Sequence, residues 1–307
     1  MVTIAVIGSI NMDVVNSVGK HPLPGETVHG FGTSYSPGGK GANQAVASTA
    51  AGSDVYMVGA VGSDAFGDGL VSSLADHGVL TKTVIRKAGT SGLAFITVDA
   101  AGENNIILSS GANGRLSPED LERQWPFVEK CSAILLQNEI PWETSFSAMR
   151  RAQESGIRVY FNPAPAFRVP EEAFPLIHYL ILNESEAEAI TGSPVDGVKQ
   201  EADAVQTLLA AGAKSVVLTL GSRGAYYMDQ QGETTRMEAF AVDPVDTTAA
   251  GDTFIGSFAT AREEGYAVAD SLRFASAAAA ISVTRQGAQQ SVPKREETVA
   301  FLQQHEG

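Results

Sequence analysis

The stretch Asp-Thr-Thr-Ala-Ala-Gly-Asp-Thr-Phe at 246–254 carries the residue pattern richest in chemistry. Ala249, Ala250 and Gly251 stand between a turn-forming segment and an apolar run at helical spacing, Phe254, Ile255 and Phe258. A helix starting there directs unpaired backbone N–H groups outward, and its dipole favours an anion at that end. Side chains this small let a phosphate approach the backbone, and Asp252 places a carboxylate beside it. An anion site next to a base suits transfer of a phosphoryl group to a hydroxyl. Asp252 also reads as a plain acidic residue in a helix's first turn, where the dipole alone favours it.

Four further segments bear on an acceptor and a donor. Gly8-Ser9-Ile10-Asn11-Met12-Asp13 closes the first apolar run, and in open α/β sheets ligands gather at the carboxyl ends of strands. Asn11 and Asp13 can donate to and accept from adjacent hydroxyls, or simply form a turn. Pro37-Gly38-Gly39-Lys40-Gly41-Ala42-Asn43-Gln44 leads into an Ala-rich helix and frees the backbone for close ligand approach or hinge motion. It is not a Walker A loop, and no Gly-x-Gly-x-x-Gly follows the first strand, so a dinucleotide-binding oxidoreductase lacks its signature. Asn183-Glu184-Ser185-Glu186 reads as a helix N-cap with an acidic first turn, or as a phosphate-side pair in which Glu186 acts through water on Mg²⁺. Thr219-Leu220-Gly221-Ser222-Arg223-Gly224 borders a nucleotide or turns a hairpin. The histidines (His21, His29, His77, His178, His305) lack metal-ligand spacing, and no Ser/His/Asp arrangement is evident.

Short apolar runs alternate with helix-like segments and would position these groups. Val2–Ile7, Val55–Val61, Ala133–Gln137, Arg158–Phe161, Tyr179–Leu182 and Val216–Leu220 read as buried strands. Gly41–Ala50, Gly67–His77, Trp142–Glu154, Glu184–Thr191 and Lys199–Ala211 read as helices, and residues 251–264 and 268–284 as two closely packed Ala-rich ones. This alternation predicts a mostly parallel sheet covered on both faces. Residues 13–37, rich in Pro and Gly, and residues 89–109, which read as a hairpin around Asp99–Gly102, predict a small β-structured lid. No repeat or tether divides the chain, so 1–307 is expected to form a single unit. The chain has 307 residues, 44% hydrophobic, with a net charge of −14, which argues against nucleic-acid binding. No run approaches membrane length and the N-terminus lacks signal-peptide features, so a soluble cytoplasmic enzyme is expected. Cys131, the single cysteine, reads as a buried core thiol.

Taken together these segments resemble the ribokinase family of carbohydrate kinases. The resemblance runs nearly end to end: GSINMD at 8–13, PGETV at 24–28, GGKGANQA at 38–45, GAN at 111–113, NPAPA at 162–166, NESEAE at 183–188, TLGSRG at 219–224, DTTAAGDTF at 246–254 and RQGAQQSVP at 285–293. It implies a three-layer α/β/α fold with a β-sheet lid, and transfer of the ATP γ-phosphoryl group to the 5-hydroxyl of D-ribose. A related sugar kinase acting on 2-deoxyribose or another sugar, or a non-catalytic sugar or nucleotide sensor, is the alternative.

The resemblance makes Asp252 the catalytic base, with Ala249, Ala250 and Gly251 as its anion hole. Asn11, Asp13, Gly39, Lys40, Gly41, Ala42, Asn43 and Glu139 fall on sugar-contacting positions. Asn183, Thr219, Gly221, Ser222, Gly224, Gly251 and Ser276 fall on the nucleotide side, with Glu186 in the motif that positions Mg²⁺ and phosphate. A monovalent-cation site for K⁺ would use Asp246, Thr248, Ser282, Arg285, Gly287 and Ser291, partly through backbone carbonyls. The chain departs from the family pattern at Asn138, where Leu is common, and at Ser276, where His or Asn often flanks the adenine. Family members often dimerise through the lid, which implies a homodimer here.

Overall fold

The structure, a computed structural model, describes residues 2–305; Met1, Glu306 and Gly307 lie outside the described residues. The strands are β1 (Thr3–Ile7), β2 (Asn11–Val18), β3 (Gly30–Gly38), β4 (Asp54–Val58), β5 (Ala60–Gly62), β6 (Ile85–Lys87), β7 (Gly92–Val98), β8 (Asn104–Ser109), β9 (Ala133–Leu136), β10 (Arg158–Phe161), β11 (Tyr179–Asn183), β12 (Ser215–Thr219), β13 (Ala225–Asp229) and β14 (Thr234–Met237). The helices are α1 (Lys40–Ala50), α2 (Gly67–Asp76), α3 (Pro118–Val128), α4 (Trp142–Glu154), α5 (Glu184–Thr191), α6 (Val198–Ala210), α7 (Ala250–Glu263), α8 (Val268–Val283) and α9 (Arg295–Gln304).

An eight-stranded sheet in the order β14-β13-β12-β11-β10-β9-β1-β4 forms the middle layer. It is parallel except for β13 and β14, which fold back as an antiparallel edge. Successive side chains on a strand point to opposite faces. Ile4 and Val6 of β1 accordingly pack with α1, α2, α7 and α8, while Ala5 and Ile7 pack with α3, α4 and α6 on the other side. Such strands, apolar at every position, are what a sheet covered on both faces requires. Cys131 is buried at the start of β9, and burial pushes its thiol up to about 12.

A second, four-stranded sheet in the order β3-β2-β7-β8 forms the lid. Its β7–β8 hairpin turns where the Asp99 side chain accepts from the backbone N–H groups of Ala101 and Glu103. Three features differ from the sequence reading. The run at 55–61 breaks at Gly59, because Gly62 and its neighbours leave the main sheet and pair with β6 instead. Helices α3 and α9 were not anticipated: α3 carries Pro118 and Pro126 in a largely polar stretch, and α9 buries little beyond Thr298. Strands β13 and β14 were not anticipated beyond the hairpin turn at 219–224 that joins β12 to β13, since their polar face hides the alternation.

The tightest crossing relevant to chemistry lies between α1 and α7. At Gly256 an added Cβ would sit 2.6 Å from the Ala47 Cβ and 2.7 Å from the Ser48 backbone nitrogen. Gly256→Ala is therefore expected to destabilise the fold. Overpacking costs about 1–3 kcal/mol, against the ~0.5–1 kcal/mol that alanine gains over glycine inside a helix. Urea unfolding checks this, and a midpoint at or above that of the parent protein contradicts the close crossing.

Candidate active site

Helix α7 begins where the sequence places its anion-binding stretch. Ala249, its N-cap, has φ 60° and is the one non-glycine residue with positive φ among the described residues. For alanine this costs about 1–2 kcal/mol, and such strain collects at functional sites. The Ala250 N–H donates to the Thr247 carbonyl at 3.2 Å, so the Gly251 and Asp252 amides remain to meet an anion. A Cβ added at Gly251 would meet nothing within 4 Å, so the fold itself does not demand the glycine. These amides open on a cavity of about 230 Å³ that Lys40, Asn162, Asn183, Glu186, Thr219 and Thr247 also line.

Asn183 caps α5: its side chain accepts from the Glu186 N–H at 2.8 Å, and Glu186 Oε2 accepts from the Asn183 N–H at 3.0 Å. Asn162 reaches the same Glu186 oxygen at 3.4 Å. Burial lifts the Glu186 pKa, against the Asn183 N–H, the Lys40 charge and the Asn162 amide. The sequence presents this capping box and the phosphate-side pair as alternatives. In the structure one pair of residues both caps the helix and lines the cavity.

A second cavity, of about 300 Å³, lies under the lid between Asn11, Asn113, Glu139, Ile140 and the Leu108–Ser110 end of β8. Asn113 locks Asn11 in place, donating to its Oδ1 at 2.7 Å and exchanging hydrogen bonds with the Ile10 backbone. Asp13 follows on β2, with Gly38 beside it on β3. A Cβ at Gly38 would come 2.2 Å from Asp13 Oδ2, so the glycine makes room for the carboxylate. Burial, then Glu139 and Asp252, raise the Asp13 pKa to about 7.

Lys40 lines the phosphate-side cavity and bonds to Glu139 on the wall of the other. Its backbone N–H donates to Glu139 Oε2 at 3.1 Å, and the Ser9 hydroxyl donates to the same oxygen. Burial lifts the Glu139 pKa, with Ser9 and Lys40 opposing. Burial disfavours the Lys40 charge, yet Asp252, Glu139 and Glu186 outweigh it and hold the ammonium above its ordinary pKa. Asp252 is nearly buried. Its Oδ2 accepts from Asn43 Nδ2 at 3.1 Å and its Oδ1 from Gln44 Nε2 at 3.0 Å.

The remaining candidates are spread around this centre. Gly39, Gly41, Ala42, Asn43 and Asp13 line neither cavity wall. The Gly41, Ala42 and Asn43 amides are spent on Ser9 and Gly39, which seat the start of α1 against the end of β1. Gly221, Ser222 and Gly224 form the turn after β12, and Ser276 is buried in α8, away from the phosphate-side wall. Asp246 pins two loops: its Oδ1 accepts from the Thr248 N–H and its Oδ2 from the Gly287 N–H, both at 2.9 Å. The Ser282 and Ser291 hydroxyls share a hydrogen bond of 2.9 Å nearby. Arg285 turns its guanidinium to Glu297, so only its backbone is free for a cation. Carboxylate, hydroxyl and carbonyl oxygens gather here, a donor set that suits a hard monovalent cation.

Gln44, Gln137, Asn113, Asn162, Ser9 and Thr247 were not singled out from the sequence. Gln137 had a signal, an amide at the end of the otherwise apolar run 133–136, and Ser9, Gln44, Asn113, Asn162 and Thr247 lie inside quoted motifs.

A model of the family described as "pfkB family carbohydrate kinase" matches residues 1–295. The chain is 39% identical to a ribokinase of Haemophilus influenzae over 98% of both proteins. It is 38% identical to a deoxyribokinase of Salmonella typhi over 99% of both. The solved structure of an Arabidopsis thaliana ribokinase complexed with ribose and ATP superposes with a TM-score of 0.91 at 32% identity, covering 98% of this chain and 99% of that one.

If the hydroxyls of an acceptor donate to Asp13, acceptor binding is expected to depend on pH. Only the ionised carboxylate accepts from two hydroxyls, so an acceptor bound there favours the charged form and affinity falls as pH drops through about 7. The acceptor KM is expected to rise about tenfold between pH 8 and pH 6. Asp13→Asn should show a high KM that no longer changes with pH. Initial-rate kinetics check this, and a flat KM profile in the parent protein contradicts it.

Proposed function

The chain belongs to the pfkB family of carbohydrate kinases, and we propose that it transfers the γ-phosphoryl group of ATP to the 5-hydroxyl of D-ribose, giving D-ribose 5-phosphate and ADP. The observation that carries this reading is that Lys40, which lines the phosphate-side cavity together with Asp252 at the helix terminus, bonds through its backbone to Glu139 on the wall of the acceptor-side cavity. Asp252 takes the 5-hydroxyl proton as the oxygen bonds to the γ-phosphorus, and the bond to the β,γ-bridging oxygen breaks to release ADP. The Gly251 and Asp252 amides and the Lys40 ammonium face the charge that moves across the phosphoryl group. The Leu108–Ser110 strand end roofs the acceptor cavity and limits water as a competing acceptor.

Mg²⁺ would accompany the nucleotide in this reading, with Glu186 acting on it through water. No group of three or more His, Cys, Asp or Glu side chains among the described residues could hold a metal by itself. That pattern suits an ion bound through one or two carboxylates and the substrate's phosphates. The ion would neutralise phosphate charge in a site already crowded with carboxylates. K⁺ would bind among the oxygens of Asp246, Thr248, Ser282, Gly287 and Ser291 and stiffen the loop that precedes Ala249. Exposed Ile106 and Ile107 on β8, an edge strand of the lid, support pairing of two copies through the lid. We read the enzyme as cytoplasmic, and no helix among the described residues is long and apolar enough to cross a membrane.

Nearly equal identity to a ribokinase and a deoxyribokinase leaves the sugar to the site itself. Asn11 and Asp13, both largely buried, favour a sugar with adjacent hydroxyls. A buried polar site that loses its partner hydroxyl discriminates by about 10⁴-fold or more at best. A coupled ADP-release assay with Mg²⁺ and K⁺ should give ribose the higher kcat/KM by at least about tenfold. Equal values would place deoxyribose on a par with ribose, and binding without turnover would make the protein a sensor. Asp252→Asn should lower kcat by about 10²–10⁴ with little change in ribose affinity, and near-normal turnover contradicts its role as base.

A further inference from the structure

Asp252 ends a chain of buried side-chain amides. Its Oδ1 accepts from Gln44 Nε2 at 3.0 Å, and Gln44 Oε1 in turn accepts from Gln137 Nε2 at 2.7 Å. Gln44 and Gln137 are both fully buried. They come from different elements: Gln44 from α1, Gln137 from the end of β9, and Asp252 from α7. An ionised carboxylate only accepts hydrogen bonds. Gln44 must therefore present its N–H to Asp252 and its carbonyl oxygen away, and Gln137 must present its N–H to that oxygen. Turned the other way, Gln44 would set a carbonyl oxygen against a carboxylate.

The far end of the chain is costly. Gln137 Oε1 is buried and has no hydrogen-bond partner among the described residues. It packs on Gly8, where an added Cβ would come within 2.1 Å of it. An unmet buried acceptor costs about 1–3 kcal/mol, and an apolar side chain here would only pass that cost to Gln44 Oε1, which accepts from Gln137. The amide at 137 thus serves Gln44 and no other partner among the described residues.

We propose that Gln44 and Gln137 are positioning residues for phosphoryl transfer: Gln137 sets the direction of the Gln44 amide, and Gln44 fixes the Asp252 carboxylate so that its free lone pairs meet the acceptor hydroxyl in line with the phosphate. Asn43 holds the other oxygen, and together the two donors remove the rotation that would misalign the base. The proposal rests on Asp252 acting as the base.

A double-mutant cycle read in kcat tests it, with Asp252→Asn measured alongside. Gln44→Met removes the donor at similar volume and is expected to lower kcat about 10- to 100-fold, with the KM for ribose and ATP within about threefold of the parent values. Gln137→Met is expected to lower kcat about three- to tenfold, and the double variant to be no slower than Gln44→Met alone, because Gln137 acts only through Gln44. If Gln44→Met does not fold, Gln44→Asn replaces it, keeping an amide withdrawn by one methylene. Losses that multiply in the double variant overturn the relay. An unchanged kcat in the Gln44 variant, with Asp252→Asn inactive, overturns the proposal and leaves the base assignment standing. An active Asp252→Asn enzyme overturns both.

Discussion

A carboxylate at the positive end of a helix, nearly closed off from water and held by two amides from a neighbouring helix, is the constraint on which the other parts of the site depend. Asn43 and Gln44 reach Asp252 only because α1 and α7 pack almost backbone to backbone at Gly256. That closeness follows from sequence: Ala47, Ser48 and the Gln44 backbone of α1 meet Gly256 of α7. Larger residues at these positions would separate the helices and break the contacts to the carboxylate. Helix α1 is fixed in turn by Ser9 and Glu139, which satisfy its first amides from the ends of β1 and β9. The central sheet thus sets the position of the base through one intermediate helix.

Charge is the second organising term. Glu139, Glu186 and Asp252 surround one partly buried ammonium, Lys40, and Asp13 faces Glu139 and Asp252. Burial and mutual repulsion lift the pKa of Asp13, and burial lifts Glu139 and Glu186 against their hydrogen bonds. An anionic donor brought in alone would add to this repulsion, whereas hydroxyls and a cation-bearing nucleotide relieve it. Asp246, further along the chain, has the opposite balance: burial would raise its pKa, but bonds from Thr248 and Gly287 hold it low. It acts as a fixed anion that ties the loop before Ala249 to the loop after α8.

The fold was largely legible in the sequence because its strands are fully buried and its helices carry a single apolar face. The alternation of such runs gives the layers, and the Pro- and Gly-rich segments mark the lid. Helices α3 and α9 and the edge hairpin β13–β14 were less visible, since polar surface elements carry little periodicity. At the site, polar residues at the start of β2 and in the first turns of α5 and α7 stood out by type: Asn11, Asp13, Glu186 and Asp252. Gln44 and Gln137 did not, although Gln44 lies in the GGKGANQA segment, because the meaning of a buried glutamine depends on which side chain it meets. The Gly39–Asn43 loop held a different surprise: its amides are consumed in seating α1, so it meets a ligand through side chains such as Lys40.

The most direct measurement is a crystal structure with ribose and a non-hydrolysable ATP analogue bound together. The ribose 5-hydroxyl is expected within hydrogen-bonding distance of an Asp252 oxygen, with the γ-phosphate on the Gly251 and Asp252 amides and the sugar between Asn11 and Glu139. A 5-hydroxyl resting on Asp13 or Glu139 instead, with Asp252 facing only its amide partners, would contradict it.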